Sequence, residues 1–268
     1  GEPGSGKSHT VNAYVEYLRG RGIEPSITAS TGIAATHIHG MTIHAWSGIG
    51  ISEFLSPEDL DRIASREHVV KRVRPAKVLI IDEISMLSAS TLSMVEAVCR
   101  EIRQMSDAFG GLQVVLVGDF FQLPPIARKS FRESPQDSFY SDLPEGEGEG
   151  LFAFTSDAWR RTNPLGCYLT EQHRQDDPAF LEVLSSVRRN EVTATHRAHI
   201  ESRKITSDTL PQGITKLFSH NADVDRINTA ELAKLPGSSR TYKMSSRGRD
   251  SLVENLKRGC LSPERLEL

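Results

Sequence analysis

Gly1-Glu2-Pro3-Gly4-Ser5-Gly6-Lys7-Ser8 fits the pattern G-x-x-x-x-G-K-[ST], a turn built to hold a polyphosphate. Glycines let backbone N–H groups turn inward around an anion. A helix expected from about Lys7 to Leu18 aims the positive end of its dipole at the same place. In such a loop Gly1, Gly4, Ser5 and Gly6 line the phosphates, Lys7 reaches the β- and γ-phosphates, and Ser8 ligates Mg²⁺. The bland alternative is a Gly-rich turn that merely opens a helix, and the rest of the chain has to decide. A loop of this kind follows a buried strand. Because the sequence starts at Gly1, the expectation is that this strand lies upstream or that the fold lacks it.

Further along, Lys77-Val78-Leu79-Ile80-Ile81-Asp82-Glu83 is an apolar run ending in two acids. Continuous apolarity marks a strand buried on both faces of a parallel sheet. Acids at its carboxyl end stand where α/β sheets hold their ligands. Asp82 is positioned to hold Mg²⁺ and Glu83 to orient an attacking water. Ser88 to Arg103 reads as a helix whose Leu92, Val95, Val98 and Ile102 face the sheet. Phe109-Gly110-Gly111 then turns the chain into a second buried strand over 112–117. That strand leaves through Gly118-Asp119-Phe120-Phe121-Gln122-Leu123-Pro124-Pro125, where Gln122 suits a γ-phosphate sensor and a plain loop residue is the other reading. Thr170-Glu171-Gln172-His173-Arg174 follows an expected strand near Gly166 to Leu169, and Arg174 is the natural arginine finger. The fold class is therefore α/β, of the P-loop NTPase type.

The intervening segments carry less chemistry. Pro25 to Ala29 reads as a strand, followed by an Ala-rich helical turn through Thr36. The stretch from Ile38 to Trp46 reads as a loop of small and hydroxyl residues able to meet a phosphodiester chain. Trp46 has two readings, base stacking and burial. His37, His39 and His44 lack a Cys or carboxylate at ligand spacing and do not read as a metal site. Ser56 caps a helix expected through about Glu67, with Pro57 at its first position. Residues 128–150 read as a flexible acidic loop. Helices are expected near Ser156 to Arg161, from Asp177 to about Arg189, and from Ala222 to Leu235, with a short strand at Ile214 to Phe218. Beyond Pro236 no domain is legible.

The bulk numbers set limits. Of 268 residues, 38% are hydrophobic and 25% charged, with a net charge of −3. That composition suits a globular chain and advertises no global basic field. Local basic clusters (Lys71, Arg72 and Arg74; Arg188 and Arg189; Arg247 and Arg249) read as solvated faces or as parts of a phosphate track. Cys99, Cys167 and Cys260 are too few and too scattered for a disulfide framework. No apolar run is long enough to span a membrane, and no leader opens the chain, so a secreted location is not expected.

Taken together, the motifs resemble the PIF-one family of superfamily-one DNA helicases, relatives of RecD. The resemblance runs from the phosphate loop through Thr28-Ala29-Ser30-Thr31-Gly32-Ile33-Ala34-Ala35, Gly40-Met41-Thr42-Ile43-His44 and Ile81-Asp82-Glu83-Ile84-Ser85-Met86-Leu87. It continues through Phe109-Gly110-Gly111, the 118–125 segment, Leu169 to Arg174 and Ser219-His220-Asn221. It implies a motor with RecA-like parallel sheets flanked by helices, moving 5′→3′ on single-stranded DNA with ATP and Mg²⁺ as cofactors. Gly6, Lys7, Ser8, Asp82, Glu83 and Gln122 match the ATP site on the first domain, and Arg174 matches an arginine finger from the second. Thr31, His44 and Asn221 fall in segments that contact the DNA backbone.

The resemblance also implies partners and organisation. The DNA partners are single strands and 5′-tailed duplex or G-quadruplex DNA, and the protein is expected to be a monomer. Its roles would lie in DNA repair, recombination and telomere maintenance, in the cytoplasm of a bacterium or the nucleus or mitochondrion of a eukaryote. A first RecA-like domain is expected over 1–127, with its remainder and the start of a second over 151–268. The family's adenine-gripping motif and late motifs are not found in this sequence. The expectation is that the chain alone turns over ATP slowly. The competing readings are a binding module for ATP and single-stranded DNA, and another kind of P-loop ATPase.

Overall fold

In the computed structural model, strand β3 (Val78–Asp82) is buried at every position. It lies between β1 (Ser26–Ala29) and β4 (Gln113–Leu116), and β2 (Met41–Thr42) extends the sheet to the order β2-β1-β3-β4, all parallel. The structure describes residues 1–125, 151–205, 214–218, 221–248, 250, 253–254, 257 and 264–267. The acidic stretch 128–150, Ser219, His220 and Cys260 lie outside the described residues.

Alternate β3 side chains serve the two faces, as pleating requires. Val78 and Ile80 pack with Val11, Val15 and Leu18 of α1 (Lys7–Arg19). Leu79 and Ile81 belong to the larger core on the other face. There they meet residues of α3 (Ile43–Ser47), α5 (Glu67–Val73) and α6 (Ala89–Arg103). Helix α6 carries its four expected core residues to full or nearly full burial, with Leu92, Val95 and Val98 at 0% exposure and Ile102 at 2%. The turn after α6 packs on it through Phe109, 1% exposed. Arg103 fastens that helix end by donating to the carbonyls of Arg74 at 2.9 Å and Ala76 at 2.8 Å. Glu96, buried on α6, accepts from Arg100 at 2.9 Å and pairs with Arg161 at 3.2 Å, so its charge is compensated.

The remaining elements are α2 (Gly32–His37), α4 (Pro57–Ala64), α7 (Asp157–Thr162), α8 (Pro178–Arg189), α9 (Ala194–Ser202), α10 (Asn221–Leu232), β5 (Thr241–Lys243) and β6 (Arg265–Glu267). The chain forms two compact units, 1–199 and 200–268. The second contains α10 and the antiparallel pair of β5 with β6, aligned Tyr242 to Leu266.

Several expectations need correction. The stretch from Ile38 to Trp46 is not wholly loop, because it supplies β2 and α3, and Trp46 is 2% exposed. Its ring fills the core, so the base-stacking reading fails. The helix opened by Ser56 does form, with a full capping box to Asp59, but it ends at Ala64 and α5 begins anew at Glu67. Neither 166–169 nor 214–218 is a strand. Both contain β-forming residues, but neither pairs with a sheet edge among the described residues. Strand preference is largely a matter of pairing and burial, and Tyr168 and Leu217 are both exposed. Helix α9 and the β5–β6 pair were not anticipated, since their apolar content is too low to give a period.

The central place of α6 gives a stability prediction. Leu92→Ala should cost about 2–5 kcal/mol, the usual range for emptying a closed core position. Chemical denaturation should show a lower midpoint with little change in slope.

Candidate nucleotide site

The site begins with the loop that opens α1. The backbone turns at Gly4 (φ 85°) and Gly6 (φ 80°), a left-handed geometry natural to glycine. A Cβ on Gly4 would also stand 2.6 Å from the Cβ of Arg174 and 2.8 Å from Gln172 Oε1. Residue 4 must therefore be glycine for the 172–174 arm to lie against the loop. The Ser5 N–H and hydroxyl both donate to the Glu2 carbonyl, at 3.2 and 2.8 Å. Lys7 Nζ donates to the carbonyls of Gly1 and Glu2 at 3.0 Å each, which holds the ammonium inside the curl. Gly6 caps α1 without a side-chain bond, so the first helical N–H groups face an anion position rather than a capping oxygen.

The acidic wall comes from the end of β3. Parallel register sets Ala29 beside Asp82 and Ile81 beside Leu116, so β1, β3 and β4 all end at one edge. Asp82 is buried and accepts the Glu83 N–H at 2.9 Å. Burial raises its carboxyl above the ordinary range, against the Glu83 N–H and the Lys7 charge, which lower it. Glu83 is also raised, by burial first and then by the charges of Asp82 and Asp119, with Lys7 opposing. Its backbone is left-handed, φ 52°, a strained choice for a residue with a side chain.

The exit of β4 makes the third wall. Asp119 is buried and accepts a forked pair of bonds from Arg188, both 2.9 Å. It also accepts the Phe121 N–H at 3.2 Å and the Gln122 side-chain amide at 3.3 Å. Burial alone would raise this carboxyl; the bonds from Arg188, Phe121 and Gln122 outweigh it and hold Asp119 below the ordinary range. The arm from Gln172 to Arg174 closes the fourth side, with the His173 N–H donating to the Gly4 carbonyl at 2.9 Å and Gln172 Nε2 donating to Glu2 at 3.0 Å.

These walls enclose a cleft of about 410 Å³ lined by Lys7, Ser8, Glu83, Gln122, His173 and Arg174, among others. Such a volume lies in the usual range for ligand pockets. Asp82, buried at the end of β3, is not among the residues that line it. Ser8 and Asp82 offer a hydroxyl and a carboxylate, hard oxygen donors of the kind Mg²⁺ takes. Arg174 lies in the same compact unit as the phosphate loop.

The residues expected at DNA lie elsewhere. The Thr31 hydroxyl caps α2 by accepting the Ala34 N–H at 3.2 Å. His44 lies on α3, and burial pushes its imidazole below the usual histidine range. Asn221 opens α10 in the second unit.

Sequence reasoning missed Asp119, Arg188, Glu2 and Gln172. A signal existed for Asp119, which leaves β4 as Asp82 ends β3. None existed for Arg188, which shares its cluster with Arg189, a residue paired to Glu182 and Glu191 at the surface.

Comparison with known proteins agrees with this architecture. The family described as PIF1-like helicase matches residues 1–196. The ATP-dependent DNA helicase Pif1 of Psychrobacter sp. (strain PRwf-1) is 41% identical over 276 residues, covering 100% of this chain and 39% of that protein. The crystal structure of Pif1 helicase from Candida albicans superposes with a TM-score of 0.79 at 29% identity, covering 100% of this chain and 58% of that one. Bacteroides Pif1 bound to single-stranded DNA gives 0.72 at 28% identity, again with 100% and 58% covered. The sheet is RecA-like, and the chain spans well under half the length of the Psychrobacter protein it matches.

The raised Asp82 carboxyl gives a stability prediction whose sign can be worked out. A carboxyl whose pKa is higher folded than unfolded leaves stability intact below the unfolded value, near about 3.9. Stability is then lost as pH rises through the folded value. Asp82→Asn removes that loss while keeping an oxygen for the Glu83 N–H. It should raise the melting temperature at neutral pH, and the gain should shrink as pH falls toward about 4.

Proposed function

The chain belongs to the PIF1-like helicase family, and on that premise we propose that it forms the nucleotide-hydrolysing part of an ATP-dependent DNA helicase. One observation carries the reading: the phosphate loop, Glu83 just after β3, Gln122 and Arg174 line one cleft at the carboxyl edge of a parallel sheet. In it, Lys7 and the start of α1 hold the β- and γ-phosphates, while Ser8 and Asp82 hold Mg²⁺. The ion, when bound, neutralises phosphate charge and orients the terminal phosphate for in-line attack. Glu83, raised toward neutrality, accepts a proton from the attacking water. Gln122 contacts the terminal phosphate, and Arg174 stabilises charge that develops during transfer.

The substrate side of the proposal is a single strand of DNA, tracked 5′→3′ by a monomer, with Thr31, His44 and Asn221 at its backbone. Substrates are 5′-tailed duplexes and G-quadruplexes, and the setting is DNA repair, recombination and telomere maintenance. The compartment follows the organism, cytoplasm in a bacterium and nucleus or mitochondrion in a eukaryote. Support for the DNA side comes from the relatives, since a Bacteroides Pif1 that this chain resembles was solved bound to single-stranded DNA.

The test is hydrolysis by the full-length protein with and without single-stranded DNA. Lys7→Ala should lower the stimulated rate by about a hundredfold or more; an unchanged rate would remove the site assignment. Glu83→Gln should keep nucleotide affinity while turnover falls about 10²–10⁴-fold. The wild-type rate should fall on acidification through the raised Glu83 value, because the base must be ionised to accept a proton. Unwinding should require a 5′ tail, and a 3′-tail requirement would reverse the proposed polarity.

A further inference from the structure

Arg188 is not among the residues lining the cleft, yet it touches two of the cleft's walls. Its Nη1 and Nη2 donate to Asp119 Oδ2 and Oδ1 at 2.9 Å each. Its Nε lies 3.7 Å from Glu2 Oε1 in the phosphate loop, and its guanidinium sits 4.3 Å from the centre of the Phe121 ring. A planar fork on a carboxylate fixes plane as well as distance. Asp119 in turn shapes the turn that carries Gln122, because its carbonyl accepts the Gln122 N–H at 3.0 Å and its Oδ1 accepts the Phe121 N–H at 3.2 Å.

The Gln122 side-chain amide rests on the same carboxylate at 3.3 Å, beyond the usual span for an N–H···O bond. With the guanidinium on both oxygens, the amide can leave without stranding a buried charge. We infer that Arg188 is a positioning residue for the hydrolysis step, which compensates Asp119, holds the 119–122 turn in one shape, and frees the Gln122 amide to meet the terminal phosphate. The inference rests on the reading of this cleft as an ATP site. The contact with Glu2 is looser, an ion pair at 3.7 Å rather than a hydrogen bond. The second Glu2 oxygen accepts from Gln172 Nε2 at 3.0 Å, which brings in the arm bearing Arg174. Without Arg188, Asp119 would draw the Gln122 amide in as its remaining side-chain partner and park it away from the phosphate.

The experiment compares full-length wild type with Arg188→Ala, Arg188→Lys and Lys7→Ala. The readouts are single-strand-stimulated hydrolysis, affinity for a fluorescent ADP, and thermal unfolding. ADP lacks the terminal phosphate, so its binding does not call on Gln122. Both Arg188 variants should lower kcat by about tenfold to a hundredfold, as expected for a misplaced reacting contact. KM for ATP and ADP affinity should stay within about twofold in both. Lysine restores charge but not the fork, so its kcat should lie between those of alanine and wild type. A kcat unchanged in both folded variants overturns the inference, as does a parallel fall in kcat and ADP affinity. Failure of both variants to fold also overturns it, by assigning Arg188 to the fold alone. If Lys7→Ala hydrolyses normally, the ATP-site reading itself has failed, and the Arg188 result is then not needed to decide it.

Discussion

A strand buried at all five of its positions can present charge only where it ends, and β3 ends in Asp82, with Glu83 next in the chain. That constraint organises the first unit. Apolar side chains on both faces require helices on both faces, so α1 covers one side and α3, α5 and α6 the other. Parallel pairing then brings the exits of β1, β3 and β4 to a single edge. The phosphate loop joins that edge through the Gly1 nitrogen, which donates to the Gly118 carbonyl at 3.3 Å.

The same edge is where the molecule carries charge at a cost in stability. Asp82 and Glu83 are both raised by burial, and a desolvated carboxylate disfavours the folded state at neutral pH. Glu83 adds a left-handed backbone. Asp119, at the exit of β4, has the opposite balance, because Arg188 compensates its charge through two bonds of 2.9 Å. The three acids at this edge thus divide into two with raised carboxyls and one that is compensated by an ion pair. That division follows from which of them has an arginine.

Much of the fold was legible because it rests on local pattern. The apolar run at 78–82, the stripe on α6 and the Ser56 and Asp177 caps each report on a few neighbouring residues, and the structure has them where the pattern put them. Lys7, Glu83, Gln122 and Arg174 were also named from sequence, and they line one cleft. What escaped depends on distant partners. The Arg188–Asp119 pair joins residues 69 apart, and nothing in the local sequence separates Arg188 from its solvated neighbour. Trp46 left two readings open in sequence, base stacking and burial, and only the tertiary core decides for burial. The 166–169 segment has strand-forming side chains but pairs with no sheet edge among the described residues, so composition misled there too.

The central claim is that this cleft is built for a nucleoside triphosphate with Mg²⁺, and equilibrium binding tests it most directly. Calorimetric titration of the protein with a non-hydrolysable ATP analogue should show one Mg²⁺-dependent site in the wild type. The affinity should fall at least about tenfold in Lys7→Ala, the loss of a single charge-assisted contact to phosphate. Binding that needs no Mg²⁺ and is unchanged by Lys7→Ala would contradict the account.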